Sequence, residues 1–254
     1  FHLRNKNSRM SSFTLIDTPI ECLSSRDRKE QLLQYNLDQS LNIVKFRFSG
    51  MLSASLNDYI QLLNEFFSSS SCLASIQATG TPSVPILLTT ENIGLEVMSM
   101  EFFDKLEEAD IVGPGGRIKG CFDEVFDGIT ASDLLREYLL NENSEKSGIY
   151  SENEKKELIF QIFRIFVIGG SLCQPDSSIE RYLSITKDFY KELVTVYRDP
   201  KTESVQVAGK AFKVEQVAGV NLFEYDSPHN VLIVLVDPMK KYLTVIKNSF
   251  KPFW

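Results

Sequence analysis

An α+β fold is the class this sequence predicts, on three observations. Apolar residues recur at three- and four-residue steps in successive windows as far as Tyr197, the spacing of a buried helix face. Beyond the turn Arg198-Asp199-Pro200-Lys201 the period drops to two, and Val205, Val207, Phe212, Val214 and Val217 alternate with polar neighbours as in half-buried strands. The chain then offers an apolar run from Val231 to Val236, a turn at Asp237-Pro238-Met239-Lys240 and renewed alternation from Tyr242 to Lys247, which together read as a hairpin. Helices followed by strands favour a helix-rich N-terminal and central part packed with a mainly antiparallel C-terminal sheet over a doubly wound fold. With 254 residues, 43% of them hydrophobic, the chain can bury one large core. The expected organisation is a disordered tail over residues 1–12, with Met10 a plausible native start, then one globular domain over 13–254 in which 13–98 is a candidate N-terminal lobe.

Each element follows from local chemistry. Asp27 to Leu37 is a short amphipathic helix behind the cap candidates Ser24 and Ser25. Ser55 to Phe67 sets Leu56, Tyr59, Ile60, Leu63 and Phe67 on one face, and the serine run 68–71 after it reads as a loop. Val84 to Thr90 is a short strand candidate, which Pro85 confines to an edge or to a late start. Ser99 caps a helix to about Ala109, and Gly113 to Gly116 break the chain. A helix is expected over Thr130 to Asn141. Ser151 and Glu154 form a capping box opening a very apolar helix that Gly169-Gly170 ends. Ile179 to Tyr197 is the last long amphipathic helix.

Charge and cysteine usage bound the function classes. The chain carries 27 basic against 34 acidic residues, and residues 104–157 hold the whole excess, with 7 basic and 14 acidic side chains. Such a balance argues against sequence-independent nucleic-acid binding, which needs a cationic surface, and marks the middle of the chain as a docking surface for a basic partner or a set of solvated helix faces. Cys22, Cys72, Cys121 and Cys173 contain no C-x-x-C pair and read as buried reduced thiols. No 18-residue apolar run offers a membrane span, and no apolar segment succeeds the basic start as in a secretory signal. The expectation is a cytosolic protein with no membrane partner.

No motif supports catalysis or a cofactor. Gly113 to Gly120 resembles a phosphate cradle but departs from the P-loop and dinucleotide patterns at Ile118. His2 lies in the tail, leaving His229 as the one histidine available to act as a base. No G-x-S-x-G elbow is present, and Cys173 in GGSLCQ reads as a buried thiol closing a core helix. Asp123, Asp127 and Gly128 lack calcium-loop spacing.

Several segments nevertheless carry a likeness: SMEFFDKLEEADIV (residues 99–112), ASDLLREYLL, the run from Ser144 to Gln174 containing GGSLCQ, the run from Tyr182 to Val214, and VDPMKKYLTVI (residues 236–246). The chain resembles the cilia- and flagella-associated protein 300 family, well over about 150 residues and more faintly back to Phe13, with little to match from Leu37 to Glu96. That resemblance implies a non-catalytic adaptor without a cofactor, acting in cytoplasmic preassembly of outer and inner axonemal dynein arms and their delivery to the cilium or flagellum. It further implies axonemal dynein chains, preassembly factors of the PIH-domain type and the intraflagellar transport machinery as partners. A structural axonemal component and an enzyme of unrecognised type are the alternatives. The contact surfaces chosen are the post-helix segment Gly169, Gly170, Cys173, Gln174, Pro175 and Asp176, and the acidic stretch Glu101, Asp104, Glu107, Glu108 and Asp110. Their competing reading is ordinary capping and a solvated helix.

Overall fold

The computed structural model describes residues 11–200 and 203–252. Its elements run β1 (Phe13–Ile16), α1 (Arg26–Gln34), β2 (Leu41–Phe48), α2 (Leu56–Ser68), α3 (Ser70–Ser75), β3 (Thr79–Gly80), β4 (Leu88–Ile93) and α4 (Lys105–Glu108). Next come β5 (Gly120–Phe126), β6 (Ile129–Asp133), α5 (Leu134–Leu140), α6 (Glu152–Lys155), α7 (Leu158–Ile168) and α8 (Ile179–Leu193). The chain ends with β7 (Val196–Arg198), β8 (Val205–Val207), β9 (Lys210–Val217), β10 (Val220–Asn221), β11 (Val231–Asp237) and β12 (Tyr242–Asn248). The fold is α+β.

One antiparallel sheet organises the molecule, in the order β1-β2-β12-β11-β9-β10-β3, with β4 also paired to β9. At its centre Val234 lies opposite Val245 on one side and Phe212 on the other, and Val245 faces Val44 of β2. Helices cover both faces. Ile233, Leu235 and Ile246 join α5, α7 and α8 in one core, while Leu232, Val234, Val236, Leu243 and Val245 join α2 and α3 in another. This explains why the β11 sequence is continuously apolar: alternate side chains point into two different cores, so neither set can be polar. The aromatic payload divides the same way, with Phe46, Phe66 and Phe67 meeting edge to face on one side and Phe103 and Phe163, with ring centroids 4.4 Å apart, on the other.

The structure differs from the sequence reading at five places. The sheet is not purely C-terminal: β1 and β2 extend it, because Phe46 and Phe48 alternate with Lys45 and Arg47 and bury against α2. The serine run is a helix junction, not a loop. Ser68 Oγ donates back to the Asn64 carbonyl at 2.6 Å, and Ser69 caps α3 by accepting from the Cys72 amide. Residues 129–133 are a strand, which Asp127 and Gly128, both at positive φ, turn back onto β5; only from Leu134 does the helix run, capped by Asp133.

The helix expected from Ser151 is two. Its capping box forms as read, but the Leu158 amide donates to the Gly94 carbonyl at 2.9 Å and the Lys156 carbonyl accepts from the Gly94 amide at 3.0 Å, so the incoming strand end takes backbone bonds that a continuous helix would have used. The Glu157 carboxylate holds it there by accepting from the amides of Glu96 and Val97. Last, α8 stops at Leu193, and Val196–Arg198 pairs with β8. Pro85 acts as expected: the strand after it begins late, at Leu88, and pairs only with β9.

Most of the tail, including His2, lies outside the described residues; Ser11 and Ser12 donate backbone bonds to Glu65 and Ser49 at 2.8 Å each. Among the described residues no helix is long and apolar enough to cross a membrane.

Candidate functional site

The two surfaces chosen from sequence differ in kind. The post-helix segment is mostly internal. Gly169 caps α7 at φ 63° and packs against the last turn of α1. Gly170 donates to the Tyr35 carbonyl at 2.9 Å, Leu172 to the Asn36 side chain at 3.1 Å, and Gln174 to the Gln34 carbonyl at 2.8 Å. Asp176 accepts from the Tyr35 hydroxyl, from Gln34 at 3.2 Å and from Arg181 at 3.3 Å, while its amide donates to Tyr182 at 2.9 Å. The rings of Tyr35 and Tyr182 stack 5.1 Å apart beneath. Every polar group of the segment that points inward is thus consumed in tying α1, α7 and α8 together. What reaches solvent is a rim of Leu172, Gln174 and Pro175, with Leu172 56% exposed. Burial pushes the Cys173 thiol up to about 11, so it is protonated at neutral pH and a poor nucleophile.

The acidic stretch is a true surface. A 3-10 turn (Met100–Phe103), capped by Ser99, leads into α4; Phe103 and Leu106 turn inward, and this leaves Glu101, Asp104, Glu107, Glu108 and Asp110 exposed along the outside. Among the described residues Asp110 alone of the five is in an ion pair, with Lys119, which holds its carboxyl below the usual range. The other four form a ledge of negative charge without ion pairs among the described residues, whereas the neighbouring Glu152 and Glu154 pair with Lys155 and Lys105 at 2.8 and 2.5 Å. The ledge and the post-helix rim belong to separate segments, and among the described residues no hydrogen bond or ion pair joins the two.

The glycine-rich turn 113–116 is folded onto the start of α8. Gly113 donates to Arg117 at 2.8 Å and the Gly116 carbonyl accepts from Ile179 at 2.9 Å, so the turn is closed by its own backbone. His229 is buried in contact with Phe250, ring centroids 5.2 Å apart, with neither ring nitrogen hydrogen-bonded. Burial, with the Arg164 charge nearby, lowers its pKa from 6.5 to about 4. Because the folded value lies below the unfolded one, its contribution to stability is whole above about pH 6.5 and is lost as pH falls toward about 4. A pH series of urea midpoints should show this loss, and His229→Leu should flatten the curve across that window; an unchanged curve would show that His229 does not titrate there.

All four cysteines are free, Cys72 buried and the other three half-buried. Among the described residues, no three His, Cys, Asp or Glu side chains come together in a way that could hold a metal ion.

The sequence reading missed the β5–β6 hairpin. It carries Phe122, 94% exposed, and Val125, 68% exposed, between Asp123, Glu124 and Asp127. The signal that could have found it is Asp127-Gly128, the dipeptide of a two-residue hairpin turn.

A family model described as Cilia- and flagella-associated protein 300 matches residues 10–248. That span includes residues 37–96, where the sequence showed little likeness. A Chlamydomonas reinhardtii protein of the same description is 28% identical over 259 residues, covering 96% of this chain and 100% of its own length. A Paramecium tetraurelia protein, again of that description, is 30% identical over 234 residues, 91% of each chain. No solved structure matches.

Proposed function

Because the chain belongs to the cilia- and flagella-associated protein 300 family, we propose that it is a non-catalytic adaptor for cytoplasmic preassembly of outer and inner axonemal dynein arms and their delivery to the cilium. The observation that carries this reading is the family match from residue 10 to residue 248, nearly the whole chain. The surface chemistry supports it. An adaptor needs a rigid frame and exposed groups for a partner to read, not a set of convergent reactive side chains. Glu101, Asp104, Glu107 and Glu108 stand on a frame fixed by Phe103 and Leu106, and their charge suits a basic face on a dynein chain or on a preassembly factor of the PIH-domain type. The post-helix rim of Leu172, Gln174 and Pro175 is the second contact, for which Gly169, Gly170, Cys173 and Asp176 act as the support. Cargo so assembled would pass to intraflagellar transport.

Reversing Glu101, Asp104, Glu107 and Glu108 to Lys should cut recovery of dynein heavy chains and preassembly factors with the tagged chain by about tenfold, as expected for loss of several complementary charges, with the urea midpoint unchanged. Asp110 is left in place because it pairs with Lys119. If neither dynein chains nor assembly factors accompany the wild-type chain from ciliated-cell cytoplasm, and its deletion leaves cilia motile, the adaptor reading fails.

A further inference from the structure

A polar cavity of about 550 Å³ opens between the end of α5, α6, the middle of α7 and strand β9. Its floor holds Arg164. The α7 sequence is apolar on nearly every side, so this arginine is an anomaly there, and it is half-buried. It forms no hydrogen bond or ion pair with any described residue; Glu142 lies near enough to influence it but not to pair with it. Lys213 reaches the same cavity from β9 and likewise has no partner among the described residues. Among the described residues the buried Tyr138 hydroxyl and the Glu142 carboxylate in the lining also have no partner, whereas Lys155 and Gln161 are occupied. Lys155 is held by Glu152 at 2.8 Å, and the Gln161 amide donates to the Lys155 carbonyl at 2.6 Å.

A partly desolvated guanidinium without a carboxylate partner carries a cost that an oxyanion would offset. Arg164 and Lys213 set two cations against the single carboxylate of Glu142 in this cavity, a balance that suits an anionic ligand. Arginine offers a planar fork matched to oxyanions, and lysine a point charge beside it. We propose that this cavity is an oxyanion site that takes a phosphoryl group between Arg164 and Lys213. The phosphoryl group arrives as free phosphate or on a phosphorylated side chain of a partner; the two sources share the chemistry and differ only in whether a peptide is attached to it.

The test is calorimetric titration of the full chain, at fixed ionic strength, with inorganic phosphate in one arm and a short phosphoserine peptide in the other. Saturable binding of phosphate is expected, weakened about tenfold or more in Arg164→Gln and in Lys213→Gln, the scale of losing one charge-assisted contact. Lys240→Gln, on the β11–β12 turn, should bind as the wild type does. Peptide binding tighter than phosphate by the same two residues identifies the side-chain source, and equal or weaker binding the free anion. Without phosphate, Arg164→Gln should unfold at the same urea concentration as the wild type or a higher one, because the substitution removes an unpaired desolvated charge. Absence of saturable binding in both arms, binding unaffected by either substitution, or marked destabilisation of Arg164→Gln without ligand would each overturn the proposal.

Discussion

Gly169→Ala is expected to destabilise the fold by about 2–6 kcal/mol, combining about 1–3 for a backbone conformation closed to L side chains with about 1–3 for overpacking. Gly169 sits at φ 63° and ψ −155°, where a Cβ strains the chain whatever space surrounds it. There is no space either. The added carbon would lie 2.5 Å from the Tyr35 carbonyl and 2.7 Å from Cys173 Sγ. The carbonyl cannot retreat, because it accepts from Gly170 at 2.9 Å and its own ring is stacked on Tyr182. Against a total stability of about 5–15 kcal/mol for a typical domain, the loss is a large fraction and should lower the urea midpoint clearly. Gly148→Ala is the control, since nothing lies within 4 Å of its added carbon. A Gly169→Ala midpoint indistinguishable from that control would refute the geometry.

Arg136→Leu should cost about 3–5 kcal/mol, the scale for removing one side of a buried charged contact. Arg136 is 3% exposed on α5. It donates to the Val167 carbonyl at 3.1 Å and to the Ile168 carbonyl, two of the last acceptors of α7, which have no partner within the helix. A cation there is also favoured by the helix dipole. Leucine would fill the volume and leave both carbonyls buried and unsatisfied. Arg136→Lys, with one point charge in place of a fork, should recover part of the loss. Urea midpoints should therefore fall in the order wild type, Lys, Leu; a Leu variant within about 1 kcal/mol of wild type would mean that the carbonyls find other donors.

Both effects fall on one place, the C-terminal end of α7, which accounts for the different exposure of the two surfaces chosen from sequence. GGSLCQ stands out in the chain, and it stands out because of a structural demand: Gly169 and Gly170 let α7 close onto α1, and Asp176 receives the Tyr35 hydroxyl. A pattern alone cannot separate residues that hold the frame from residues that face a partner. The acidic stretch was easier, because Phe102, Phe103 and Leu106 at helical spacing leave the carboxylates only one way to point. The hairpin with Phe122 stayed hidden behind an over-long helix: Ile129, Ala131 and Leu135 are buried in either conformation, and helical periodicity cannot tell a strand that leads directly into a helix from a helix begun early. Arg164 and Lys213 could not have been paired from sequence, lying 49 positions apart on a helix and a strand.

By itself the sequence determined the fold class, the C-terminal hairpin, the caps at Ser25, Ser99 and Ser151, the apolar character of α7 and the family likeness. All of these depend on neighbours within a turn or two, where propensity, capping and periodicity act. Only the tertiary structure decided that β1 and β2 complete the sheet, that Gly94 and Glu157 break a helix in two, and that Arg136 closes α7. Those outcomes depend on which unsatisfied backbone group meets which donor across the fold, and the local pattern of apolar residues carries no record of that partner.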